Sequence, residues 1–434
     1  MYEVTFELEN ITPLFMHGAD QSTAEFRATS VKGVMRWWFR ALAGNYFGDN
    51  IPGLKRAECR IFGCAESEGR KSLVTVVASA SGRPNSYIDK TSNSWKSAIA
   101  WSEYVDYFFF SMLDKKKDRE SNTIKIKSKS SFFPPQSKFR VILRSPDRRA
   151  LGLAEASLLL AIHLGGFGLR ARRGAGSLKI SKVSGDCSFD DCNSYVVETP
   201  DELRDIIDTI LEFSEQALAG LGDELSRTPI EGYPKYPILH PKYAAIFVLD
   251  NECPTDWIGA LDNFGRWYLG RKVGRKFVGG FRFKFADYNL SHDLNRGTRG
   301  SSSKEKRYYL GLPLIYANYK VTVEGVRGAL SNCPKRSDRL IRRRASGYWL
   351  SLSQFGDAVY PVVTVFAYQL YPEYQGRFCF RKKIDRQRDR VGLITLENPI
   401  SHRTEDNEAV VNFYREKFIG DKGLAGYKVW PGRV

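Results

Sequence analysis

The chain has 434 residues, 42% of them hydrophobic and 13% aromatic, which is enough apolar mass for ordinary cores and argues against wholesale disorder. Its 66 Lys and Arg outnumber 49 Asp and Glu, and the resulting charge of +17 favours an anionic partner, nucleic acid first among them. No apolar run approaches the roughly 20 residues of a spanning helix, so no membrane partner is expected.

Taken in chain order, Tyr2–Glu9 alternates with period two, Val4, Phe6 and Leu8 on one face, and predicts a half-buried strand. A start of this kind implies no signal peptide, and seven scattered cysteines point to reduced thiols in a cytoplasmic protein. Cys59/Cys64 and Cys187/Cys192 share the four-residue gap of some structural zinc pairs. No histidine lies close to either pair, so free thiols are expected, with no metal and no other cofactor.

Ser30 is the expected cap of a helix over 31–43, which Gly44 and Asn45 end. Strands follow at 73–80 and 139–143, then a helix at 151–164 and a strand at 178–183. The order β-α-β-β-α-β is ferredoxin-like, or RRM-like, with a long insertion at 84–137 between its second and third strands. The insertion carries Trp95, Trp101, Tyr104, Tyr107 and Phe108–Phe110, then a lysine-rich segment; the aromatics suit either a small local core or a surface for a neighbouring subunit.

Thr199-Pro200-Asp201-Glu202 opens another helix running to Gly220, and Pro229, Pro234, Pro237 and Pro241 mark a linker. A strand at 243–249 and a helix capped by Thr255 begin a second unit, in which Arg266-Trp267-Tyr268-Leu269 echoes Arg36-Trp37-Trp38-Phe39. Residues 295–307 read as a mobile basic loop and Val359–Leu370 as a central strand. The expected fold class is α+β: two ferredoxin-like domains, at 1–198 and 242–434, joined by a helix and proline-rich linker at 199–241.

Residues 165–177 carry the strongest functional signal. Gly165, Gly166, Gly168, Gly174 and Gly176 free the backbone for close approach, and Arg170, Arg172 and Arg173 sit among them. A loop both sterically bare and cationic suits a phosphate backbone. It connects a helix to a strand, unlike the strand-to-helix loops of Rossmann and Walker sites. On the 31–43 helix, Lys32, Arg36 and Arg40 recur at i, i+4 and i+8 as one cationic stripe, and Ser30 adds a phosphate-welcoming helix start. The stripe and the loop are expected to form one groove. Arg342, Arg343 and Arg344, followed by Tyr348 and Trp349, offer a secondary RNA or subunit contact. The run Arg381-Lys382-Lys383 is interrupted further on by Asp385 and Asp389 and reads as a solvated face.

Three segments in order, Thr12-Pro13-Leu14-Phe15-Met16-His17-Gly18-Ala19-Asp20, Ser30-Val31-Lys32-Gly33-Val34-Met35-Arg36-Trp37-Trp38-Phe39-Arg40 and the arginine–glycine loop, resemble the RAMP superfamily of CRISPR proteins. Within it they are similar to the first subunits of Cmr-module (type III-B) effector complexes. The resemblance is specific over 3–183 and weak over 236–434. It implies a subunit that helps hold single-stranded RNA, CRISPR RNA and/or complementary target RNA, beside other Cmr-module subunits in an antiviral ribonucleoprotein. It also implies RNA contact by Lys32, Arg36, Arg40, Arg170, Arg172, Arg173, Gly174 and Gly176.

His17 departs from the family pattern, which has a small residue, usually glycine, at that point. With Asp20 it defines an alternative, a metal-independent endoribonuclease that activates a 2′-hydroxyl. The chain has five histidines and none pairs closely with His17, so binding without catalysis is the expectation. A mainly structural protein–protein subunit is the other alternative. If the loop is the grip, Arg172→Ala with Arg173→Ala should weaken RNA binding and leave thermal stability nearly unchanged.

Overall fold

Alternation of buried and polar residues at the start of the chain becomes β1 (Tyr2–Asn10), with Val4, Phe6 and Leu8 in the core. The computed structural model describes residues 1–269 other than 66–68, 82–85, 190, 221–226, 233 and 250–253, and beyond them chiefly 347–368, 426–431 and the backbone of several further strands. After β1 come α1 (Ala28–Phe47), α2 (Ile51–Phe62), β2 (Thr75–Ser81), β3 (Asp89–Ser92), α3 (Glu103–Phe108), β4 (Leu113–Lys117) and β5 (Ile124–Ser128). Then follow β6 (Lys138–Ser145), α4 (Arg148–His163), β7 (Leu178–Gly185), α5 (Pro200–Ala219), β8 (Ala244–Leu249) and α6 (Trp257–Leu269). Of the later strands, β9 (Tyr348–Phe355), β10 (Ala358–Phe366) and β11 (Gly426–Trp430) complete the second unit's sheet.

The first sheet has the order β7-β1-β6-β2 and the second β11-β8-β10-β9, antiparallel throughout. Both therefore run last strand, first, third, second, which is the ferredoxin-like order, and the fold is α+β with the duplication that the tryptophan-bearing helices α1 and α6 foreshadow. Strand β8 is buried on both faces. Ala244, Ile246 and Val248 join the core shared with α1, α4 and the first sheet, while Ala245, Phe247 and Leu249 meet α6 and the insertion.

Several boundaries differ from expectation for identifiable reasons. Helix α1 starts at Ala28, with Arg27 at the cap position and no side-chain cap, so Ser30 lies within the first turn. Gly44 does not stop the helix; it lets the 234–241 segment approach, where a Cβ would lie 2.9 Å from Ile238 Cγ1. Termination falls to Gly48, in the left-handed region at φ 56°. The unexpected α2 is capped by Asn50, which accepts from Gly53 N at 2.9 Å. Asp256 rather than Thr255 caps α6, accepting from Gly259 N at 2.7 Å.

The expected linker is pinned to the first unit, Leu239 N donating to Ala41 O at 2.8 Å and Tyr236 Oη to Gly48 O at 2.7 Å. Helix α5 packs Leu203, Ile206, Ile207 and Ile210 into the shared core, and Trp430 Nε1 of β11 donates to its Asp208 at 2.8 Å. The insertion folds into a small β3-β5-β4 sheet with α3. Its aromatics divide: Phe108 stacks near Phe264 at 5.8 Å and Trp101 near Trp257 at 6.1 Å, whereas Trp95 and Phe110 stay exposed.

The free-thiol expectation is overturned for four cysteines. Cys59 is disulfide-bonded to Cys64, and Cys187 to Cys192. An odd total does not preclude local pairs, and the four-residue gap that raised zinc also lets one turn bring two sulfurs together. Residues 295–307 lie outside the described residues, and of Arg381–Lys383 only the strand backbone is described.

Beneath the second disulfide lies a buried polar cluster. Glu155 accepts from Ser188 N, Ser188 Oγ and Tyr195 Oη at 3.1, 2.6 and 2.7 Å, and burial raises its carboxyl above the usual range. His163 Nε2 lies 3.2 Å from Tyr195 O, and burial pulls its imidazole down to about 4. His163 thus stays neutral in the fold while the unfolded chain takes up a proton near pH 6.5. Its contribution is present above pH 6.5 and is lost as pH falls toward 4, by about 3 kcal/mol. Glu155 acts in the opposite sense, so the test is a difference: His163→Gln should flatten the acid loss of unfolding free energy between pH 6.5 and 4 relative to wild type.

Candidate nucleic-acid interface

The cationic stripe of α1 is anchored by α2 and by the strand entry that follows. Lys32 Nζ donates to Ser72 Oγ at 2.9 Å, and burial and the neighbouring Arg36 lower its ammonium. Arg36 donates through Nε to Glu58 Oε1 at 2.6 Å and through a terminal nitrogen to Gly63 O at 3.2 Å. Arg40 donates to the same Glu58 oxygen at 2.9 Å. One buried carboxylate therefore orients two guanidinium groups that remain 35% and 42% exposed, which fixes their forks and leaves net positive charge.

Beside them a cavity of about 900 Å³ opens between α1, α2 and the 235–237 segment. Arg36, Arg40, Lys55, Arg56, Arg70 and Lys235 line it against Glu58 as the sole carboxylate of the lining. Low-dielectric walls around a predominantly positive lining focus the field on an entering anion, although Lys235 is also paired with Asp49 at 3.8 Å. Trp37 also lines this cavity, and it is where the helix and the arginine–glycine loop meet. The Arg172 guanidinium lies 4.9 Å from the Trp37 ring centroid and 4.3 Å from that of Trp349.

The loop itself docks on the second sheet. Arg170 adopts the left-handed conformation (φ 61°, ψ 17°), Ala171–Arg173 make one 3₁₀ turn, and Gly174 N donates to Leu350 O at 3.0 Å. Arg173 donates to Tyr268 Oη at 3.1 Å and to Tyr348 Oη. Arg170 Nε donates to Ser111 Oγ at 2.7 Å, with its guanidinium 4.4 Å from the Phe110 centroid. Burial lowers Arg170 and Arg172 to about 10, so both stay charged at neutral pH.

The glycines serve the chain's own packing. A Cβ at Gly168 (φ 78°) would overlap the Phe15 carbonyl, and one at Gly176 (φ 66°) the Phe167 carbonyl. Gly165 abuts the Trp38 indole, Gly166 the carbonyls of Ala171 and Ala175, and Gly174 the side chains of Leu261 and Leu352. These glycines are thus required by the packing of the loop against itself, against 12–15 and against the second unit. Arg173 is likewise held inside the structure. Because Arg172 and Arg173 both anchor the loop to the second sheet, Arg172→Ala with Arg173→Ala should lower thermal stability as well as RNA binding.

His17 is half-buried, its Nε2 3.0 Å from Ser131 O, and Asp20 is exposed on the neighbouring turn. The Ser22 hydroxyl and amide, with Thr23, hold the Asp20 carboxyl at about 2, which makes it a weak base. Arg342 and Arg343 lie outside the described residues, and of Arg344 only its strand backbone is described. Lys55, Arg56, Arg70 and Lys235 are the site residues that sequence reading missed. The first two fall on the amphipathic α2, whose Asn-x-Pro start was the available signal; Arg70 and Lys235 carry none.

Comparison with known proteins bears on the whole arrangement. A family described as the RAMP superfamily matches residues 7–179. The CRISPR system Cmr subunit Cmr1-2 of Pyrococcus furiosus is 56% identical over 185 residues, 42% of this chain and 97% of that protein. Cmr1-1 of the same organism is 31% identical over 305 residues, 69% of this chain and 82% of that one. In fold, the crystal structure of Cmr1 from P. furiosus in its apo form aligns over 99% of both chains, with TM-score 0.53 and 22% identity.

The loop geometry separates two glycines by experiment. Gly176→Ala should lower stability by about 2 kcal/mol or more, because it combines a left-handed φ with a backbone overlap. Gly33→Ala, on the exposed face of α1 with nothing within 4 Å, should be neutral or stabilising by up to about 1 kcal/mol. Thermal midpoints of the two variants check this.

Proposed function

The chain belongs to the Cmr1 family of the RAMP superfamily, and from that premise we propose that it is a non-catalytic RNA-binding subunit of a type III-B CRISPR ribonucleoprotein. In the cytoplasm, beside other Cmr-module subunits, it helps to hold CRISPR RNA and/or complementary target RNA for antiviral defence. The observation that carries this reading is the cavity on α1 and α2, with six cations against one carboxylate and an aromatic edge at Trp37. Half-exposed guanidinium forks, oriented by Glu58, suit bidentate contact with phosphate oxygens. Such contacts position a strand without reading its bases. The weakly basic Asp20 carboxylate and the His17 ring resting on the Ser131 carbonyl favour binding over cleavage.

The test uses the full chain and labelled single-stranded RNA across a salt series. Arg40→Gln with Arg70→Gln leaves Arg36 on Glu58 and keeps the fold. It should weaken binding about tenfold or more and, if each residue neutralises one phosphate, reduce the log–log salt slope by about 1.4. Unchanged affinity and slope would remove the cavity from the RNA path. The RNA should stay intact with magnesium or with EDTA; cleavage abolished by His17→Ala would replace this reading with the nuclease.

A further inference from the structure

The insertion leaves one aromatic group uncovered at the far side of the arginine–glycine loop. Phe110 is 63% exposed, with Leu169 at 47% and Tyr107 at 39%. Most aromatics of the same segment are packed: Phe108 and Phe109 are buried against α6 and Trp101 is partly so, and core formation does not explain the three exposed residues. What surrounds Phe110 is cationic. The Arg170 guanidinium covers one side of the ring at 4.4 Å, and only its Nε is hydrogen-bonded among the described residues. Lys129 Nζ donates to the carbonyl of Ser111, the residue following Phe110, at 2.8 Å. Neither cation has an ion-pair partner among the described residues, whereas Lys115, Lys116, Lys125 and Lys127 nearby in sequence are each matched to an aspartate.

We propose that the exposed Phe110, backed by Arg170, is a stacking platform for an unpaired base of single-stranded RNA. Three observations favour RNA over a protein surface. An aromatic face next to unneutralised cations is the pairing that binds bases and phosphates together. A buried protein interface would leave two cations desolvated without counter-charge, which is costly. The platform and the cationic cavity are also tied by one loop: Arg170 and Arg172 flank a single turn, one on Phe110 and the other on Trp37, which lines the cavity. Arg170 holds a left-handed backbone that a non-glycine residue adopts at a cost, and this places its guanidinium behind the ring. A base stacks on the open side of Phe110, and Arg170 and Lys129 take the adjoining phosphates.

This inference rests on the RNA-binding reading, and the experiment separates the two. The full chain is titrated with a heteropolymeric single-stranded RNA and with an abasic RNA of equal length and phosphate count. Phe110→Ala should bind the normal RNA about tenfold more weakly, with an unchanged salt slope because no charge is removed. Phe110→Trp should restore affinity, and wild type and Phe110→Ala should bind the abasic RNA equally. Equal binding of normal RNA by wild type and Phe110→Ala overturns the platform and leaves the cavity reading intact. An equal loss on abasic RNA overturns stacking. Unaltered RNA binding with impaired assembly onto the other subunits would reassign the patch to a protein. A wild-type chain that binds no RNA removes both readings at once.

Discussion

Everything else in the structure depends on how three arginines are held against aromatic rings and hydroxyls. The loop between α4 and β7 begins and ends in the first unit but docks on the second sheet, with Arg172 on the faces of Trp37 and Trp349 and Arg173 bonded to the phenols of Tyr268 and Tyr348. Desolvating a guanidinium costs several kcal/mol. Aromatic faces return about 2 kcal/mol each when water is excluded, and hydrogen bonds to hydroxyls add to that. A carboxylate would serve as well for stability but would cancel the charge. Quadrupoles and phenols leave it in place, and its field extends to the surface on either side of the loop.

The second consequence concerns β8. A strand buried on both faces has no polar face to spare, and Ala244–Leu249 is accordingly apolar at every position. One face completes the core over α1, α4 and α5, the other receives α6 and the insertion. The two ferredoxin-like units are therefore not beads on a linker. The proline-bearing 234–241 segment lies along α1 with the Leu239 amide bonded to Ala41 O, and one core runs through both units.

How much of this was legible from sequence follows from the range of each signal. Local periodicity and capping placed β1, α4, β7, α5 and β8 within a few residues, and the strand order of the first unit was readable because its elements recur in a known arrangement. What failed was set by tertiary contact. Gly44 reads as a helix stop until Ile238 is seen against it, and the sequence gives no sign that Gly168 and Gly176 are also needed beside the carbonyls of Phe15 and Phe167. The stripe of Lys32, Arg36 and Arg40 was visible at helical spacing, but Glu58, Arg70 and Lys235, which make it a cavity, lie on separate elements with no common pattern.

These constraints make the loop unsuitable as a place to tune affinity alone. Arg172 and Arg173 are structural and electrostatic at once, so a change there alters the docking of the second sheet together with the charge it carries. At the two ends of the loop, the half-exposed Arg40 and the exposed Phe110 reach solvent from a scaffold already fixed, so substitution there is less constrained by packing. A rigid cationic turn with adjustable surfaces at both ends separates holding the charge from presenting it. It lets the surfaces at both ends change while the fold stays the same.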